Sequence, residues 1–161
     1  MAITDQGALP RDLLLVEDDP TMRTLVTTWL RFDLPTVQVH EVGTLHEALD
    51  ALHASDHPID VVVLDLRLPD ARGLDALDAI MATMQGTLPI PVIILTGAVE
   101  NGLSDVNDLW RVLRHGADDL VIKLQENIRV SLRCAILAGW ERYQYRARQI
   151  QTWMQKSFFN E

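Results

Sequence analysis

Short runs of consecutive apolar residues alternate, along this chain, with longer stretches where apolar residues recur every three or four positions. Leu13 to Val16 is the first run, closed by Glu17, Asp18 and Asp19 and then Pro20. Ile59 to Leu64, interrupted by Asp60, and Pro91 to Leu95 repeat it. Runs without alternation suit strands covered on both faces. Thr36 to Val42 differs, with Val37, Val39 and Glu41 in period two, as in a strand nearer an edge. "DDLVIK" supplies a fifth short strand, ending at Lys123.

The stretches between them read as helices. Asp19 as N-cap with Pro20 at the first helical position starts one, whose inner face is expected to carry Met22, Leu25, Val26, Trp29 and Leu30. Thr44 with Glu47 three residues on is a capping box, opening a helix to about Ala54. After a turn marked by Pro69 and Gly73, residues Leu74, Leu77, Ala79, Ile80, Met81 and Met84 form a third, ending near Gly86. The polar stretch "GAVENGLSDVN" leads to a fourth through Leu109, Trp110, Val112 and Leu113, stopped at Gly116. Strand and helix in strict alternation imply right-handed crossovers and a doubly wound parallel sheet. Ligands of such sheets bind at the carboxyl ends of the strands.

Bulk properties narrow the function. The length of 161 residues suits one domain with some length to spare, and 48% hydrophobic residues build its core without staples. A net charge of −9 argues against nucleic acid or an anionic membrane as a direct partner of this segment. The opening "MAITDQGALP" has neither the basic nor the apolar region of a signal peptide, and no apolar run is long enough to span a bilayer. A soluble cytoplasmic domain is expected. The single cysteine, Cys134, is expected to be a small buried hydrophobe.

The strand ends hold the chemistry. Strand one ends on Glu17, Asp18 and Asp19, strand three on Asp65, strand four on Thr96 and strand five on Lys123. Carboxylates meeting on one rim repel unless a cation sits among them, and hard oxygen donors suit Mg²⁺. Beside the metal, a carboxylate can attack phosphorus and form an aspartyl phosphate. An ammonium and a hydroxyl then serve the phosphoryl oxygens.

"LLLVEDDP", "VVVLDLRLPDARG", "PVIILTG" and "GADDLVIK" resemble, in family order, the motifs of the receiver domain of two-component response regulators. The resemblance covers roughly Asp12 to Lys123 and implies the five-stranded (βα)5 flavodoxin-like fold. It also implies roles. Asp65 accepts the phosphoryl group, from a phosphohistidine of a sensor histidine kinase or a histidine phosphotransfer protein. Asp18 and Asp65 bind Mg²⁺, Glu17 acts through water, and the backbone carbonyl of Arg67 completes the protein ligands. Lys123 pairs with the acids and then with phosphate, and Thr96 is the switch. Three positions depart from the family: Leu124 replaces the proline after the lysine, Leu120 the switch aromatic, and Gly97 the usual alanine. The segment between Thr96 and Gly116 is long for the family, so an enlarged loop or added turn is expected at "AVENGLSDV".

From about Glu126 to Ser157 there is no proline and one glycine, and Ile136, Trp140, Tyr143, Ala147, Ile150 and Met154 follow steps of four and three. That is a heptad seam, expected to make a parallel dimeric coiled coil or a linker to a further domain. The expected layout is a tail over 1–11, a receiver over 12–125 and a long helix over 126–161. His40, His46, His53, His57 and His115 have no metal spacing and read as structural or surface residues. The competing reading is a pseudo-receiver, a constitutive interaction module that is never phosphorylated. An aspartate-based phosphatase would need a second acid two residues after Asp65, where Arg67 stands.

Overall fold

The computed structural model describes residues 9–54, 56, 58–97 and 106–158, leaving aside the side chains of 106–109 and 158. In chain order the elements are β1 (Asp12–Val16), α1 (Pro20–Asp33), β2 (Gln38–Val42), α2 (Leu45–His53), β3 (Val61–Leu64), β4 (Arg67–Leu68), β5 (Ala71–Arg72), α3 (Leu74–Thr83), β6 (Val92–Thr96), α4 (Val106–Arg114), β7 (Asp119–Ile122) and α5 (Ile128–Phe158). Five strands form one sheet in the order β2-β1-β3-β6-β7. Every pairing in it is parallel. The strand order reverses between β1 and β3, which opens a crevice at their carboxyl ends. The edge position expected for β2 is the one it takes.

Each inner strand feeds two cores because successive side chains point to opposite faces. Leu14, Val16, Val62, Leu64 and Ile94 pack with Ala48, Leu77, Ile80 and Val112 from α2, α3 and α4. Leu13, Leu15, Val61, Val63, Ile93 and Leu95 pack with Val26 and Leu30 of α1 and with Leu132 and Ile136 of α5. Burying a side chain of this size contributes about 2 kcal/mol, so the double cover holds the strand ends in fixed register.

Local signals work as the sequence foretold. Asp19 accepts from Thr21 N and Met22 N to cap α1, and Thr44 with Glu47 forms the full capping box of α2. Gly116 ends α4 at φ +101°, a conformation that side chains rarely adopt. Residues 98–105, where the enlarged loop is expected, lie outside the described residues.

Two helix positions are corrected. Leu25 is 41% exposed rather than part of the inner face. The buried arc of α1 is Val26, Thr27 and Leu30, and Leu25 lies about 140° round the helix from Leu30. Cys134 is exposed, not buried. Its neighbours Leu132, Ala135 and Ile136 face the sheet, which turns position 134 outward.

At 31 residues, α5 is about 46 Å long. Its first half packs on β6, β7 and α1. Gly139 permits the approach, since a Cβ there would lie 3.1 Å from Pro91 Cβ and 3.3 Å from Ile93 Cδ1. Arg129 grips Asp33 of α1 through two hydrogen bonds of 2.9 and 2.6 Å. Ile136 is fully buried, Trp140 packs on the core, and Tyr143 stacks on Trp140 at 5.3 Å. The first half of the heptad seam is thus consumed by the chain's own sheet. Beyond it, Ile150, Trp153 and Met154 are exposed.

Candidate functional site

Asp65 follows β3 and is 3% exposed, its N–H donating to Val16 O at 2.9 Å. A carboxylate so placed must be compensated. Its Oδ1 accepts from Arg67 N at 3.0 Å and from Thr96 Oγ1 at 3.1 Å. Its Oδ2 accepts from Lys123 Nζ at 2.6 Å. Thr96 ends β6 fully buried, and Lys123 follows β7 with its N–H donating to Thr96 O at 2.9 Å. Neighbouring parallel strands therefore deliver acid, hydroxyl and ammonium to one point.

Glu17 and Asp18 come from the adjacent strand end. Glu17 is 1% exposed, with Oε2 2.7 Å from Lys123 Nζ and Oε1 accepting from Asp19 N at 3.1 Å. Asp18 is exposed, and one oxygen each of Glu17, Asp18 and Asp65 lie within 4.8 Å of one another. The third acid of the run, Asp19, spends its Oδ1 on capping α1. Glu17, Asp18, Asp19, Asp65, Arg67, Gly97 and Lys123 line a cavity of about 290 Å³.

Burial raises the Glu17 carboxyl above its usual range, more than the hydrogen bond from Lys123 lowers it. Burial also works against the Lys123 ammonium, but hydrogen bonds to Asp65 and Glu17 outweigh it and raise its value. The two directions are compatible, because one ammonium is divided between two carboxylates and compensates neither fully. Three carboxylates against one ammonium leave two negative charges in a small space. A divalent cation with oxygen ligands would cancel them, and the donor set fits Mg²⁺, which takes few carboxylates and keeps several waters.

All the side chains expected at the site converge on it. Leu120 is half-buried against the core, Leu124 is 74% exposed, and no cis peptide occurs among the described residues. Among the described residues, nothing lies within 4 Å of a Cβ built at Gly97. Sequence reasoning missed the hairpin of β4 and β5. Gly73, at φ +56°, closes it with an N–H to Leu66 O of 3.1 Å. At its tip Asp70 accepts from Leu45 N at 2.9 Å and His46 N at 3.0 Å, tying the segment after Asp65 to the start of α2. The histidines pair locally, His40 with Asp12 and His115 with Asp78, each at 2.7 Å. His57 lies outside the described residues.

Comparison with known proteins agrees with this geometry. Residues 13–133 match the response regulator receiver domain family. The transcriptional regulatory protein KdpE of Mycobacterium tuberculosis is 38% identical over 112 residues, covering 69% of this chain and 43% of that protein. The regulatory protein LuxO of Vibrio vulnificus is 33% identical over 128 residues, covering 76% of this chain and 25% of that one. The chain thus spans less than half the length of these relatives. Among solved structures, the signal receiver domain of a protein assigned as a Luxo repressor from Vibrio parahaemolyticus superposes with a TM-score of 0.70 at 26% identity, covering 87% of this chain and 96% of that one. The BeF3-activated DrrB receiver domain superposes with a TM-score of 0.59 at 28% identity, covering 83% and 96%. With its sheet order, its strand-end residues and this match over most of its length, the chain belongs to the response regulator receiver domain family.

Proposed function

We propose that this receiver works as a phosphorylated switch, with Asp65 as the acceptor. The observation that carries the reading is the dressing of one buried carboxylate: Lys123 on one oxygen at 2.6 Å and Thr96 on the other at 3.1 Å, beside Glu17 and Asp18. An Asp65 oxygen attacks the phosphorus of a phosphohistidine on a sensor kinase or phosphotransfer protein. The P–O bond forms as the P–N bond breaks, and the imidazole leaves with the electron pair and takes up a proton. Lys123 follows the charge onto the phosphoryl oxygens, and Thr96 Oγ1 donates to one of them. Asp18 and Asp65 would hold Mg²⁺ directly, Glu17 would act through water, and the Arg67 carbonyl would be a further ligand. Mg²⁺ supplies charge neutralisation at the phosphoryl group when bound. Water attacking the aspartyl phosphate resets the site.

The receiver proper occupies about 12–125, and the exposed end of α5 pairs with a second copy through Ile150 and Met154. In a parallel register the flanking positions bring Arg146 opposite Gln151, with no like-charge pair to oppose association. No helix among the described residues is long and apolar enough to cross a membrane, and we place the chain in the cytoplasm, where its phosphohistidine donors would be met. A constitutive module would have no use for a buried acid, ammonium and hydroxyl held in this geometry. Borohydride reduction after exposure to acetyl phosphate tests the assignment. It converts an aspartyl phosphate to homoserine, which peptide mass should locate at position 65; reduction elsewhere, or nowhere, would contradict it.

A further inference from the structure

The acidic turn after β1 is not held by the sheet alone. Glu17 N donates to Val42 O at 3.0 Å, which carries the parallel ladder one residue past β1. In that ladder the Glu17 carbonyl would next accept from Thr44 N. Thr44 N is spent elsewhere: with Gly43 N it donates to Glu47 Oε2, at 3.1 and 2.9 Å, around the capping box of α2. The carbonyl left over is taken by α1, where Arg23 Nη1 donates to Glu17 O at 2.7 Å. Glu17 is buried, so its carbonyl needs such a partner.

Space is kept for that contact. A Cβ at Gly43 would lie 3.2 Å from Arg23 Nη1, and glycine carries none. Glu41 of β2 lies 4.0 Å from Arg23 Nε, on another edge of the guanidinium fork. Only 27% of the Arg23 side chain is exposed, so this is not a surface arginine trailing in water.

The carbonyl belongs to the peptide that joins Glu17 to Asp18. That group is planar and rigid, so holding its oxygen fixes where the Asp18 backbone lies. Glu17 and Asp19 have side-chain anchors of their own, on Lys123 and on the first N–H groups of α1. Asp18 is the exposed member of the three-carboxylate cluster, and the course of the backbone carries it there. Three carboxylates with oxygens within 4.8 Å of one another repel, which works to spread the turn before a cation arrives. A tie on the backbone from outside the cluster opposes that spreading.

We propose that Arg23 is a positioning residue of the metal site. By holding the Glu17 carbonyl it presets the turn that delivers Asp18, and so sets the affinity for Mg²⁺ without touching the ion. The inference rests on Mg²⁺ binding at Glu17, Asp18 and Asp65.

The test is calorimetric titration of MgCl₂ into the full chain, with melting temperatures taken separately in chelator. Arg23→Ala should raise the Mg²⁺ dissociation constant roughly tenfold, the scale expected when a group that orients a metal ligand is lost. Arg23→Lys should recover part of the affinity, since an ammonium supplies a donor for the carbonyl but lacks the second arm toward Glu41. Gly43→Ala, which crowds the guanidinium and leaves its charge in place, should show a smaller loss of the same sign. Ile136→Val on α5 isolates stability: it should lower the melting temperature by a few degrees and leave the dissociation constant unchanged. An unchanged dissociation constant in Arg23→Ala, or an equal loss of affinity in Ile136→Val, would overturn the proposal. A wild-type chain that takes up no Mg²⁺ would overturn it together with the metal reading, a result distinct from the other two.

Discussion

The Lys123 ammonium stands 2.6 Å from Asp65 Oδ2 and so ties the end of β7 to the end of β3, across the intervening β6. The same nitrogen lies 2.7 Å from Glu17 Oε2, which makes it the joint of the whole rim. Lys123→Ala leaves two buried carboxylates facing each other. It should cost about 2 kcal/mol at neutral pH without divalent cation, less than for a pair sealed from water, because the cavity opens to solvent. The cost should shrink on acidification. Glu17's value is raised by burial, so the folded chain holds that proton more tightly than the unfolded one. The stabilisation from protonating it is complete below the ordinary value of 4.5 and is lost as pH rises through the folded one. Denaturant unfolding of both proteins across acid and neutral pH checks the sign.

Asp70 works in the opposite direction. Hydrogen bonds from His46 N and Leu45 N hold its carboxyl below the usual range. A lowered value contributes stability above the unfolded value of 3.8, lost as pH falls through the folded one. Asp70→Ala should cost about 1 kcal/mol at neutral pH, the worth of a cap, and nearly nothing in strong acid. A pH-independent difference would mean that the clamp acts by packing instead.

Magnesium should stabilise the chain before any phosphoryl group arrives. At tenfold excess over its dissociation constant it should raise the melting temperature by roughly 3–5 °C. Asp18→Asn, which removes an exposed donor from the cluster of three carboxylates, should abolish most of that rise without lowering the melting temperature of the metal-free protein. An equal rise in both proteins would place the ion elsewhere.

Association should depend on the far end of α5. Sedimentation should give a dimer for the full chain and a monomer for Ile150→Asp with Met154→Asp. Both side chains are 46% exposed, so the fold should survive the change. A monomeric wild type would show that the exposed seam serves something other than a second copy.

Much of this architecture was legible along the chain, for physical reasons that differ by element. Leu13 to Val16 and Val61 to Leu64 announce a parallel sheet because residues covered on both faces cannot alternate. Asp65, Thr96 and Lys123 were findable because strand ends in such a sheet converge by topology. Leu25 was misplaced because a three-four spacing defines a stripe but not which flank of it meets the sheet; buried Thr27 decided that. Strands of two residues, such as Arg67–Leu68 and Ala71–Arg72, carry no readable period. The Asp70 clamp joins positions 25 residues apart, and no local rule contains it. The seam of α5 was visible, yet spacing could not tell that Ile136 and Trp140 are spent on the chain's own core.

The central claim is tested most directly by intact-protein mass after incubation with acetyl phosphate, with Mg²⁺ and with a chelator, alongside Asp65→Asn. The account predicts a gain of one phosphoryl group that requires Mg²⁺ and is absent from the variant. No gain in the wild type, or the same gain in Asp65→Asn, would contradict it.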